Sequence, residues 1–127
     1  MAVILVVEDE PIIRFFLCDE LVNAGHTVME AASALEAIAA IGACDELDAL
    51  ITDVDMPGGL SGLDVMKLVC STHPTTAVWV VSGRDVRSQI GDGVTFLPKP
   101  YDYRELVHLV SERVQLARPR KPYRQLG

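Results

Sequence analysis

The sequence predicts an α/β fold, a parallel sheet with helices on both faces, and two observations carry that prediction. Short apolar runs such as Val3–Val7 and Ala77–Val81 show no polar alternation, as in strands buried on both sides. Between such runs lie segments with apolar residues at helical spacing and capping residues at their starts. Strand and helix therefore alternate along the chain, and right-handed crossovers follow. With 127 residues, half of them hydrophobic and 23% charged, the chain is sized for one domain with a real core.

The elements follow in order. Val3–Val7 is the first strand, and Pro11 stands where a helix begins. Ile13, Phe16, Leu17, Leu21 and Ala24 recur at helical spacing until Gly25 stops that helix. Thr27–Glu30 is a short second strand, and Ser33-Ala-Leu-Glu36 is a capping box for a helix to Ile41. Ala49–Thr52 is the third strand. The glycine-rich loop from Pro57 to Gly62 then leads into a helix with Leu63, Met66, Val69 and Cys70 on one face. Ala77–Val81 is the fourth strand, with Trp79 as a core residue. Arg84–Gly93 is polar and bracketed by glycines, so any helix there has two turns at most. Thr95–Leu97 is the fifth strand. Asp102-Tyr-Arg-Glu105 is a second capping box, with Tyr101 and Leu106 as a hydrophobic staple, and its helix runs to about Ala117.

Composition excludes several classes. No run of eighteen apolar residues marks a membrane span, and the first residues lack the basic start of a signal peptide. Cys18, Cys44 and Cys70 are odd in number and far apart, as in reduced cytosolic thiols rather than a disulfide framework or zinc site. All 18 acids lie between Glu8 and Glu112, whereas Arg118, Arg120, Lys121 and Arg124 crowd the end. Residues 1–117 thus hold seven bases against 18 acids, a charge of −11. Such a surface repels nucleic acid and attracts divalent cations or basic partners. Residues 118–127 read as a basic, proline-containing flexible tail.

The chemistry-bearing residues fall at strand ends. Glu8 and Asp9 follow the first strand, Asp53 and Asp55 the third, Ser82 the fourth and Lys99 the fifth. If the strand order is 2-1-3-4-5, the first and third strands are neighbours at the switch point and both acidic pairs face one crevice. Carboxylates converging there repel one another unless a cation sits between them. A hard, oxygen-loving ion such as Mg²⁺ fits that donor set. His26, His73 and His108 have no partner at metal or catalytic spacing and read as loop or surface residues.

Glu8-Asp9 after Ile4-Leu5-Val6-Val7, Asp53-Val-Asp-Met-Pro57, Ser82-Gly83 after an apolar strand and Phe96-Leu-Pro-Lys-Pro100 together resemble the receiver domain of two-component response regulators. The resemblance covers roughly residues 3 to 117. It implies the 2-1-3-4-5 order, flavodoxin-like and CheY-like, with residues 1–117 as the receiver. It also implies that Asp53 is the phosphoacceptor, taking a phosphoryl group from a histidine kinase or histidine phosphotransfer protein. Asp9 would ligate Mg²⁺ directly, Glu8 through a water, and Asp53 and the Asp55 backbone carbonyl would complete the set. Lys99 would neutralise phosphoryl oxygens, while Ser82 and Phe96 would form the switch. Asp55 and Arg84 would flank the site, pair across the crevice and hinder the water that removes the phosphoryl group. The Lys99-Pro100 peptide would be cis.

The chain departs from the family at three places. The first acidic pair is Glu-Asp rather than Asp-Asp, and the loop before Gly62 is longer by a residue. The Ser82-to-Lys99 stretch is about one helical turn shorter than usual, so the fourth helix is truncated or irregular. The usual surface built on that helix is then in question, and output through the first and last helices is expected instead. The 127 residues carry no DNA-binding region after Ala117 and no histidine-bearing kinase segment before Val3. The expectation is therefore a stand-alone, cytoplasmic signalling domain, not an enzyme of general turnover. It would bind a downstream protein and neither nucleic acid nor membrane, as a monomer or weak homodimer. Three other classes compete. A haloacid-dehalogenase-type phosphohydrolase would share Asp53-Val-Asp55 but needs a longer chain. A flavodoxin-type binding module would need a phosphate cradle where Glu8-Asp9-Glu10 stands, and a receiver-like module that takes no phosphate would not need its complete residue set.

Overall fold

In the computed structural model, which describes residues 2–117, five strands form one parallel sheet. They are β1 (Val3–Val7), β2 (Thr27–Ala31), β3 (Ala49–Asp53), β4 (Ala77–Ser82) and β5 (Val94–Pro98), in the order β2-β1-β3-β4-β5. Four helices accompany them: α1 (Pro11–Asn23), α2 (Ala34–Gly42), α3 (Gly62–Thr72) and α4 (Tyr103–Ala117). The basic tail expected over residues 118–127 lies outside the described residues.

Because successive side chains of a strand point to opposite faces, β1 divides the core in two. Leu5 and Val7 join a cluster with Ala37 and Ile41 of α2 and Val65, Met66 and Val69 of α3. Ile4 and Val6 face the other way, into a cluster with Leu17 and Leu21 of α1 and Leu106, Val110 and Val114 of α4. Trp79 is buried in that second cluster, as its place mid-strand implies.

The helix boundaries follow from local chemistry. Pro11 opens α1, where its missing N–H costs nothing. At the other end Gly25, at φ +96°, lets its own N–H reach the Val22 carbonyl and His26 N–H reach that of Leu21, a Schellman closure. Ser33 Oγ accepts from Glu36 N–H as the capping box requires, but the Glu36 carboxylate accepts from Ala32 N–H rather than from Ser33. Ser61 caps α3 through a complete capping box with Asp64, a signal missed in the sequence. Asp102 Oδ1 accepts from the Arg104 and Glu105 N–H groups at the start of α4.

Two expected apolar faces are corrected. Phe16 and Ala24 are exposed, and the buried side of α1 is Leu17, Cys18 and Leu21. Cys70 is exposed, and Val65 takes its place in the buried face of α3. In both helices the centre of the expected face is buried and only its edge differs, because an apolar residue at the edge of a helical stripe can fall on either side of the solvent boundary.

The pattern of a helix after every strand also fails once. Residues 83–93 contain a single 3-10 turn, Arg87–Gln89, where the sequence allowed two turns at most. Val86 is fully buried and Ile90 packs against the same cluster, so this short connection still closes over the α2–α3 side of the sheet. Among the described residues no helix is long and apolar enough to cross a membrane.

Candidate functional site

β1 and β3 are adjacent and parallel, with Val7 opposite Thr52, so the residues that end them arrive together at the carboxyl edge of the sheet. Glu8, Asp9 and Asp53 meet there, each with a carboxylate oxygen within 4.8 Å of the others. Glu8 and Asp53 are buried and Asp9 is half-buried. Asp53 is fixed at both oxygens: Oδ1 accepts from Val54 N–H (2.9 Å) and Oδ2 from Lys99 Nζ (3.1 Å). Lys99 arrives from the end of β5, where its N–H donates to the Ser82 carbonyl (2.8 Å) and its peptide bond to Pro100 is cis. The same ammonium donates to Glu8 Oε1 at 3.3 Å, while Glu8 Oε2 accepts from Glu10 N–H.

The electrostatics follow from burial. Burial pushes the Glu8 carboxyl up to about 7, and the nearby charge of Asp53 adds to the rise. Burial also raises Asp53 above the usual carboxylate range, against the hydrogen bond and charge of Lys99. For Lys99 itself burial opposes the charge, but the hydrogen bond and charge of Asp53 outweigh it and hold the ammonium protonated. Lys99 thus pairs with two of the three converging acids, an incomplete compensation. The remaining donors are hard carboxylate oxygens, the chemistry that suits Mg²⁺.

Ser82, buried at the end of β4, accepts at Oγ from Arg84 N–H. Arg84 turns back toward β3 and grips Asp55 with two parallel bonds of 3.0 Å, Nε to Oδ2 and Nη2 to Oδ1. The expected pair across the crevice is therefore present, at a solvent-exposed position. The Arg84 guanidinium holds the Asp55 carboxyl below its ordinary value. Phe96 is half-buried and packs against the α2–α3 cluster. The three histidines stay away from the crevice. His26 Nε2 is 2.8 Å from Ser111 Oγ, His73 Nε2 is 2.9 Å from the Cys44 carbonyl, and His108 lies beside Glu112 on the exposed side of α4.

Two residues that sequence reasoning passed over support the site. Gly62 N–H donates to the Val54 carbonyl (2.9 Å), and a Cβ on Gly62 would collide with the Asp53 backbone carbonyl and lie 2.8 Å from Thr52 Oγ1. That hydroxyl is itself buried and donates to the Asp53 carbonyl. Arg14 donates from Nη1 to the Glu8 carbonyl (2.7 Å) and from Nε to Glu30 Oε1 (3.3 Å). Arg14 is the only lysine or arginine before Lys67, but that alone does not say which groups it meets.

The sequence profile described as response regulator receiver domain matches residues 4–111. Response regulator MprA of Mycobacterium ulcerans is 38% identical over 109 residues, which cover 82% of this chain and 46% of that protein. Sensor kinase CckA of Brucella abortus is 33% identical over 122 residues, 90% of this chain and 13% of the kinase. The chain therefore spans less than half the length of either curated relative. Among solved structures, response regulator TrrA of Thermotoga maritima in complex with Mg²⁺–BeF superposes with a TM-score of 0.73 at 29% identity, covering 88% of this chain and 98% of that one.

Two outcomes are expected. Gly62→Ala forces backbone apart behind Asp53 and lowers stability by about 1–3 kcal/mol, measured by urea unfolding. The second concerns pH in a chelator. Glu8 has a folded pKa of about 7 against an ordinary 4.5, so the folded state binds its proton more tightly. That contribution is complete below the ordinary value and is lost as pH rises through about 7. Glu8→Gln cannot ionise and should lose less stability than the wild type over that rise. Parallel stability–pH curves would contradict the assignment.

Proposed function

The chain belongs to the response regulator receiver domain family, the phosphoacceptor domain of two-component systems, and from that premise we propose that Asp53 is the residue that takes the phosphoryl group. The supporting observation is the buried Asp53 carboxylate, held between Lys99 and the backbone of Val54 beside two further acids. Receiver domains interact with histidine kinases. The donor proposed for this chain is the phosphohistidine of a histidine kinase or histidine phosphotransfer protein. An Asp53 oxygen forms the new O–P bond as the P–N bond breaks, and the electron pair leaves with the imidazole, which takes up a proton. Lys99, already hydrogen-bonded to Asp53, stays within reach of the phosphoryl oxygens and offsets their charge.

Receiver domains bind Mg²⁺ at an acidic site, and the three-carboxylate cluster has the right donors for it. Asp9 and Asp53 are proposed as direct ligands, with Glu8 acting through water and the Asp55 carbonyl as a further ligand. Mg²⁺ bound there supplies charge neutralisation to the transferred group. Ser82 and Phe96 are proposed as the switch: the hydroxyl turns to a phosphoryl oxygen and the aromatic ring follows into the space it leaves.

The Arg84–Asp55 pair is proposed to stand in the path of the water that hydrolyses the aspartyl phosphate. For output we favour the α1–α4 side. Ile12, Phe15 and Val22 of α1 and Leu109 of α4 are exposed there, and Phe16 stacks on Tyr103 at 5.9 Å. A dimer built on residues 83–93 would overturn that choice. The domain is proposed to act in the cytoplasm by protein contact or as a phosphate sink, as a monomer or weak homodimer. It would have no general phosphatase turnover and no direct contact with nucleic acid, and residues 1–117 are proposed as the receiver.

Incubation with Mg²⁺ and acetyl phosphate should add one base-labile phosphoryl group by intact mass, and none to Asp53→Ala. Labelling of the variant at the wild-type level would refute the assignment. Arg84→Ala should shorten the phosphoryl lifetime by roughly two- to fivefold, the scale of an exposed pair expressed as a rate. An unchanged lifetime would remove the gating role.

A further inference from the structure

Arg14 sits on the first turn of α1 but is bonded to neither acid of the crevice. Its Nη1 donates to the carbonyl of Glu8 at 2.7 Å, and that carbonyl belongs to the peptide joining Glu8 to Asp9. Its Nε donates to Glu30 on β2 at 3.3 Å, and the side chain is only 20% exposed. The other side of the same residue is also tied, since Glu8 N–H donates to the Ala31 carbonyl at 3.0 Å. A single guanidinium thus links α1, the end of β1 and β2 at the point where the chain leaves the sheet to present two acidic side chains in succession.

We propose that Arg14 is a positioning residue for the cation site: by clamping the Glu8–Asp9 peptide it sets where the two carboxylates stand relative to Asp53. The inference rests on the phosphoacceptor reading above. Glu8, Asp9 and Asp53 repel one another, and β1 ends at Val7, so the ladder to β3 does not extend to the first two acids. Without a tie, that peptide can rotate and let the acids splay into solvent. A planar guanidinium can grip a carbonyl and a carboxylate at once, which a lysine ammonium does less well. Partners that orient ligands typically matter by ten- to a hundredfold in metal affinity.

The sign of the effect separates positioning from simple charge. Arg14 is a cation near a cation site, so deleting it for electrostatic reasons alone should tighten Mg²⁺ binding. If it holds the ligands in place, deletion should weaken binding. The test is Mg²⁺ titration of wild type, Arg14→Ala, Arg14→Lys and Glu30→Gln, followed by calorimetry and by amide NMR shifts. Thermal unfolding in chelator and acetyl phosphate labelling across Mg²⁺ concentrations accompany it. The proposal expects Arg14→Ala to raise the Mg²⁺ dissociation constant by about tenfold. Arg14→Lys should recover part of that loss, and Glu30→Gln should have a smaller effect. Labelling by Arg14→Ala should be slow at low Mg²⁺ and return to the wild-type rate at saturation. Unchanged or tighter Mg²⁺ binding by Arg14→Ala, even with lowered thermal stability, overturns it. Absence of Mg²⁺ binding and labelling in the wild type itself would instead overturn the phosphoacceptor reading on which it rests.

Discussion

The contact on which the rest of the site depends is the ammonium of Lys99 between Asp53 and Glu8. Two buried carboxylates and a half-buried third within 4.8 Å of one another are an unfavourable arrangement, and burial drives both Glu8 and Asp53 toward their protonated forms. Lys99 offsets part of that cost with bonds of 3.1 and 3.3 Å. Its reach is set by β5, whose last residues pair with Ser82, so the ammonium enters the crevice from the far side of β4. Removing one partner from such a group leaves an uncompensated buried charge, which is why the pieces are interdependent.

The fold supplies this geometry through strand order rather than through any loop. In the order β2-β1-β3-β4-β5, β1 and β3 are neighbours although α1, β2 and α2 separate them in sequence, and their carboxyl ends face the same gap. The backbone around Asp53 is closed from behind by Gly62 and Thr52, and Glu8 is closed by Ala31 and Arg14. Asp53 and Glu8 are consequently held by main-chain hydrogen bonds, and the Glu8 carbonyl also by a guanidinium. Fixed backing of this kind holds a carboxylate in position for in-line transfer.

Most of this was legible in the sequence because it depends on residue type at strand ends. Apolar runs located the strands to within a residue or two, and Glu8, Asp9, Asp53, Ser82 and Lys99 each followed from the end of one. The cis Lys99-Pro100 bond was expected from the resemblance, the Arg84–Asp55 pair from the charges flanking the site, and both are present. What was not legible depends on side chains meeting across the fold. Gly62 sits in a glycine-rich loop where its neighbours Gly58 and Gly59 look equivalent, and only the approach of the Asp53 carbonyl distinguishes it. Arg14 lies on a helix, where the ordinary expectation is a solvated charge. Phe16 and Cys70 were misplaced because periodicity gives the direction of an apolar stripe but not its edges.

The shortened connection between β4 and β5 constrains how a signal can leave the site. Only Val86 of residues 83–93 is fully buried, and its neighbourhood is tied by exposed ion pairs, Arg84 to Asp55 and Arg87 to Asp85. Exposed pairs contribute little to stability, so the segment is held mainly by the burial of Val86. It also offers little surface for a partner to grip, because one 3-10 turn lacks the apolar stripe of a helix. The opposite side of the sheet has the complementary properties. There α1 and α4 pack together over the deepest part of the second cluster, yet α1 leaves Ile12, Phe15 and Val22 in solvent. The short connection and the exposed apolar area of α1 therefore lie on opposite sides of the sheet. The site stands between them, with Ser82 Oγ accepting from Arg84 N–H of the short connection and the Glu8 carbonyl bonded to Arg14 of α1.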